Sequence, residues 1–249
     1  MEVLENLRLV ELRNQPDASY MEKQKEITGA MRAILVDWMV EVHTAFEMVG
    51  ETLYLAVNLV DRYLEHVQVK RTQLQLVGVT SVLVACKYEE THPPTLRQVV
   101  HITDHAYTTQ EVREMERDIL HTLGFHLSIP SAREFAAHFL EHHPLEEATP
   151  VLRHMTHYIA ELSLQELPFL KFTPSLLAAA SILVARRTLK VDPPWPPHLE
   201  TCTQYALFTL DHCARELEAL LATCGRARLQ AVRTKYSKPA FASVAADHA

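Results

Sequence analysis

Met31-Arg32-Ala33-Ile34-Leu35-Val36-Asp37-Trp38-Met39-Val40-Glu41-Val42 is apolar at almost every position, with only Arg32, Asp37 and Glu41 breaking the run. A helix built from it has no single wet face, so it is either buried on most sides or serves a partner as well as the core. The surrounding composition favours the helix. Of 249 residues only five are glycine and 48% are apolar, which suits helices better than sheets, tight hairpins or glycine-rich phosphate loops. The expectation is an all-α fold, long enough for one large core or two ordinary ones.

Upstream, residues 1–14 form a polar amphipathic segment carrying Val3, Leu4, Leu7, Val10 and Leu12, and Asn14-Gln15-Pro16-Asp17 breaks it. This reads as a short helix ahead of the main body. Downstream, Gly50 is a candidate C-terminal stop. Beyond it Leu53, Ala56, Val57, Val60, Tyr63 and Leu64 recur at helical spacing. Leu74 to Cys86 is apolar nearly all round and belongs in the middle of a bundle, and Pro93-Pro94 follows. A short helix is expected near Leu96 to His101. Thr108-Thr109-Gln110-Glu111 is a capping box for a helix striped by Val112, Met115, Ile119, Leu120 and Leu123 and ending before Gly124.

The plan then repeats. Ser131-Ala132-Arg133-Glu134 is a second capping box leading to Phe135, Phe139 and Leu140, and Leu152, Tyr158, Ile159 and Leu162 mark the next helix. Thr173-Pro174 opens an apolar helix over Leu176 to Ala185, the counterpart of the one beginning at Leu74. Pro193-Pro194-Trp195-Pro196-Pro197 reads as a rigid loop, Leu207 to Cys224 as the last helix, Arg226 to Lys238 as a basic segment and the Ala-rich end as a fraying tail. Two tandem five-helix bundles follow from the repeat, divided as 1–27 N-terminal helix and lead-in, 28–128, 129–237 and a tail over 238–249.

Charge and motifs exclude several function classes. A formal charge of -7 argues against a nucleic-acid module, which needs a basic face. Cys86, Cys202, Cys213 and Cys224 form no C-x-x-C pair and read as reduced thiols of an intracellular protein. His154 and His157 have helical spacing, but no further ligand completes a metal set, so no metal or other cofactor is expected. No signal peptide opens the chain and no apolar stretch approaches the ~20 residues of a membrane span. The absence of nucleophile-elbow, zincin, P-loop and kinase signatures leaves no catalytic residue to assign, and the expectation is a non-enzyme. Three charges stand where a plain core would be apolar: Arg32, Lys87 beside Val84 and Tyr88, and Glu116 between Val112 and Leu120.

These residues carry a resemblance. Met31 to Trp38 looks like the signature opening the cyclin box of A- and B-type cyclins. Leu74-Gln75-Leu76-Val77-Gly78 and Cys86-Lys87-Tyr88-Glu89-Glu90 resemble the motifs of its third helix, and Tyr20-Met21 with Gln24 and Ile27 resembles the lead-in. The likeness is strong from Tyr20 to Pro130. Beyond, it lies in helix pattern more than in residues. It implies a regulatory subunit that binds and activates a cyclin-dependent kinase in G2/M control, located in nucleus and/or cytoplasm.

By that resemblance Lys87 and Glu116 hydrogen-bond main-chain groups beside the kinase's mobile regulatory helix. Val84, Tyr88, Leu120, Phe125 and Leu127 would form the apolar surface on which that helix packs, with Glu89 and Glu90 alongside. Met31, Ile34, Leu35, Trp38, Leu74 and Gln75 resemble the hydrophobic patch that captures Arg-x-Leu peptides of substrates and inhibitors, with Glu41 facing the peptide's arginine. Arg32 and Asp61 would bridge the first two helices of the box. No Arg-x-x-Leu destruction box stands in an N-terminal tail, which points to a trimmed core or a shortened member. Glu26-Ile27-Thr28-Gly29 and Leu164-Gln165-Glu166 lean toward the B-type without deciding the subclass. A transcription-type cyclin or a cyclin-fold transcription factor is the alternative.

Overall fold

The computed structural model describes residues 2–13, 15–141 and 149–247. Asn14 of the breaker string and the last two residues of the tail lie outside them. Regular structure in the described residues is helical, and the chain divides into two compact units: Arg13–Ile129, and Pro130–Ala249 together with Met1–Leu12.

The first unit holds α2 (Gly29–Ala45), α3 (Gly50–His66), α4 (Leu74–Glu89), α5 (Leu96–Ile102) and α6 (Thr109–Thr122), after α1 (Glu2–Glu11) in the chain. Its centre is α4, buried continuously from Leu76 to Cys86 and packed against α2, α3, α5 and α6. That explains why Leu74 to Cys86 shows no amphipathic stripe: every side of the helix meets protein. Close approach sets the α2–α4 contact, since a Cβ at Gly78 would lie 2.6 Å from Leu35 Cδ1.

Helix ends follow the local chemistry. Thr28 caps α2 through Met31 N, and full capping boxes form at Thr95/Gln98 and Thr108/Glu111. One expected stop is displaced. Gly50 is the first residue of α3, and α2 ends earlier because Phe46 N and Met48 N bond back to the carbonyls of Val42 and His43, with Glu47 left-handed at φ 51°.

The second unit repeats the arrangement around α9 (Pro174–Thr188), capped by Thr173 and packed by α7 (Ala132–Glu141), α8 (Pro150–Gln165) and α11 (Leu207–Cys224). The short α10 (Pro197–Thr203) contacts α7. Ser131 caps α7 through Glu134 N at 3.0 Å. The proline stretch is the loop between α9 and α10, with Trp195 buried and its Nε1 donating to Tyr205 O. Two segments are more ordered than expected. The basic stretch contains α12 (Ala231–Tyr236), and the tail contains α13 (Val244–Asp247), whose Val244 and Ala245 are buried. Neither lone nor idle, α1 belongs to this second unit. Its Glu11 carboxylate, 4% exposed, accepts from Ser175 N and Oγ at the start of α9, and its Arg8 donates to Thr203 O and lies over the Tyr205 ring.

Candidate functional site

The lead-in and the first two helices of the first unit are joined by one buried polar knot. Arg32 of α2 binds Asp61 of α3 through two bonds, Nε–Oδ1 at 2.6 Å and Nη2–Oδ2 at 2.7 Å, with both side chains 1% exposed. Tyr20 donates to Asp61 Oδ1 at 2.7 Å and is fully buried, so its hydroxyl titrates far above the ordinary tyrosine value through burial and the adjacent carboxylate. Asp61 holds the Arg32 guanidinium charged against the desolvation that opposes it. Gln24 completes the lead-in: its amide donates to the Leu64 and Val67 carbonyls at the end of α3, and its oxygen accepts from Val69 N. Ile27 is buried beside them in sequence.

Elsewhere in the unit the last turn of α4 meets the middle of α6. Lys87 Nζ meets Glu116 Oε1 at 2.6 Å, with the two side chains 47% and 17% exposed. Such a partly solvated pair adds at most about 1 kcal/mol to folding, so stability does not account for two charges beside apolar neighbours. An ammonium has three donors and a carboxylate two acceptor oxygens, and among the described residues one of each is engaged. Next to Lys87 in the chain, Tyr88 is 51% exposed and Glu89 is exposed; along α6 and the turn after it, Leu120 and Leu127 are half-buried and Phe125 is 61% exposed. The His121 ring meets Phe125 edge-on at 5.5 Å.

The structure departs from the expected surfaces at four positions. Val84 is buried inside the unit because α4 is enclosed up to Cys86, so it backs the apolar surface without forming it. Glu90 is half-buried and already engaged within the unit: its Oε1 accepts from Val49 N at 2.8 Å and Thr52 Oγ1 at 2.6 Å at the start of α3. Leu35 and Leu74 are also buried, Leu35 under Gly78. Of the other patch residues, Ile34 is 52% exposed, Glu41 is exposed, and Met31, Trp38 and Gln75 are half-buried. Trp38 rests on a buried cluster of Leu76, Val79, Leu83, Val99, Val100 and Val112.

Sequence reasoning missed a second buried knot. Lys235 of α12 reaches both carboxylate oxygens of Glu161 in α8 at 2.7 and 2.8 Å, and Tyr236 donates to the same group. The signal was a glutamate inside the apolar run Ile159 to Leu162, as Asp61 stands inside α3. His154 and His157 of α8 lie among cations. Burial, with Arg133, His154, Arg153 and Lys235, pushes the His157 imidazole down to about 3. Among the described residues no group of three His, Cys, Asp or Glu side chains can hold a metal ion, and no helix is long and apolar enough to cross a membrane. The four cysteines are unpaired, and burial raises the Cys86 thiol to about 12.

Comparison with known proteins places these features. Residues 2–128 match the cyclin N-terminal domain and residues 130–249 the cyclin C-terminal domain. The chain is 43% identical to a G2/mitotic-specific cyclin-B of Dictyostelium discoideum over 92% of its length, covering 52% of that protein. It is 41% identical to cyclin-A2-1 of Oryza sativa over 98% of its length, covering 51%, and 41% identical to cyclin-A1 of Xenopus laevis over 98%, covering 57%. The chain thus spans about half the length of these relatives. A viral cyclin from herpesvirus saimiri has a similar solved structure, with TM-score 0.78 and 26% identity over 88% of this chain and 96% of that one. Matched through both halves by the family's paired domains, and by A- and B-type relatives over nearly its whole length, the chain belongs to the cyclin family.

Proposed function

We propose that this chain is the regulatory subunit of a cyclin-dependent serine/threonine kinase acting at the G2/M stage of the cell cycle. The observation that carries the reading is the partly exposed Lys87–Glu116 pair, in a unit that also exposes the ring of Tyr88, next to Lys87 in the chain, and that of Phe125, just past the end of α6. Such a surface offers apolar area for affinity and a charged pair for register. The mechanism follows from phosphoryl transfer. A kinase holds ATP correctly only when its active-site lysine pairs with a glutamate on its regulatory helix, and a subunit that binds only that arrangement shifts the equilibrium toward it. The cyclin supplies no catalytic group. The names of its relatives, including a G2/mitotic-specific cyclin-B, support the cell-cycle assignment over a transcriptional one. Mixing the chain with candidate cyclin-dependent kinases and measuring histone phosphorylation tests the proposal, and kinases left inert and unbound would refute it. The double variant Lys87→Ala with Glu116→Ala should lose kinase co-purification while its circular dichroism stays helical.

The same chain would dock Arg-x-Leu substrates and inhibitors on α2 and the start of α4. Exposed Ile34, half-buried Met31 and Trp38, and Glu41 one turn beyond Trp38 support this. Such docking raises the local concentration of a phosphorylation site to about the mM range. Trp38→Ala is expected to slow phosphorylation of Arg-x-Leu substrates and to spare peptides without the motif. Equal slowing of both would contradict docking.

A further inference from the structure

The end of α6 is built in two left-handed steps. Gly124 has φ 57° and Phe125 φ 61°. The first step is ordinary: Gly124 N bonds to His121 O and Phe125 N to Leu120 O, which is the double closure of a Schellman stop. The second is not, because a bulky aromatic residue rarely adopts positive φ. Phe125 is also one of the most exposed large apolar side chains of the first unit. A strained, solvent-facing ring is a poor element for folding and points to a function that needs it there. Leu127 N bonds back to Phe125 O at 3.1 Å, so the turn stays tight directly after the strained residue.

What holds the turn comes from another helix. Arg62, next to Asp61 on α3, is 7% exposed and donates from Nη1 to His126 O at 2.8 Å. This charge-assisted bond fixes the carbonyl immediately after Phe125. The His121 ring, one turn earlier on α6, braces Phe125 edge-on. We propose that Arg62 is a positioning residue of the kinase-binding surface: it latches the Gly124–His126 turn so that Phe125 is presented ready-made, sparing the ordering cost at binding. This rests on the proposed kinase-binding function and names a residue outside the expected contact set. Arg62 need not touch the kinase, since its burial and its bond direct it inward.

Strain and latch are tested on the isolated chain and then in the complex. Glycine usually destabilises relative to alanine, but at a left-handed position the order reverses. Phe125→Gly should therefore melt about 2 °C above Phe125→Ala. In an Arg62→Met background, where the turn can relax, that advantage should vanish. In the complex, Arg62→Met should weaken kinase affinity by roughly ten-fold with its circular dichroism still helical, because ordering the turn now opposes binding. Arg62→Lys, which keeps a donor, should recover most of the loss. With Phe125→Ala already present, Arg62→Met should cost nothing further. If the unaltered chain binds kinase but Arg62→Met binds equally well, or if the two losses simply add, the latch is wrong and the kinase reading stands. If the unaltered chain binds no kinase, both fall.

Discussion

Arg32, Asp61 and Tyr20 show how far single residues can be read. Arg32 stands out as a charge inside an apolar run, which is costly unless paired, and it was the resemblance to the cyclin box that gave Asp61 as its partner. Their partner Tyr20 could not be read in the same way, since a tyrosine in a lead-in segment is equally at home on a surface. Removing one member strands a buried charge, so Arg32→Ala is expected to destabilise by about 3–5 kcal/mol. A thermal melt checks it, and full stability with lost kinase binding would contradict the structural role. His157 is a second residue-scale case. Its imidazole is ordinary when unfolded, near 6.5, but held down to about 3 when folded. Below pH 6.5 the unfolded chain takes up a proton that the folded chain refuses, so stability drops as pH falls and the penalty saturates near pH 3. Urea melts at pH 7.5 and 5 should show this drop, and His157→Gln should show a smaller one.

Helices were legible where their chemistry is local. The Thr108 capping box, Thr173-Pro174 and the Gly124 stop mark helix ends in the chain as they do in the fold, because a cap involves residues only three or four apart. Gly50 misled for the same reason in reverse. A glycine after a helical run suggests a stop, but here the start of α3 is set by Glu90, a residue 41 positions away that accepts from Val49 N. Gly78 carries a close approach that the sequence could flag only as a motif. Placing a methyl group against Leu35 should overpack the α2–α4 contact, and Gly78→Ala is expected to cost about 1–3 kcal/mol in a urea melt. In a Leu35→Ala background the added cost of Gly78→Ala should largely vanish, which would confirm that the clash is with that side chain.

The chain as a whole is two bundles whose membership is not the order of the sequence. α1 precedes the first unit in the chain yet packs with the second, where buried Glu11 caps the start of α9. Glu11→Ala leaves the Ser175 N–H without its acceptor, while the hydroxyl keeps Tyr205 at 2.8 Å, at a cost of about 1–3 kcal/mol. Amide hydrogen exchange should then quicken at the start of α9 and stay unchanged in α4. Composition, helical periodicity and local caps determined the all-α class, the repeat and most helix positions, because these depend on residues within one or two turns of each other. The tertiary structure alone decided where α1 belongs, that Lys235 is buried on Glu161, that Glu90 is taken up by Val49 and Thr52, and that Arg62 grips the turn bearing Phe125. Each of these joins residues dozens to more than a hundred positions apart, and which distant groups meet is set by how helices pack, a property that no local pattern encodes.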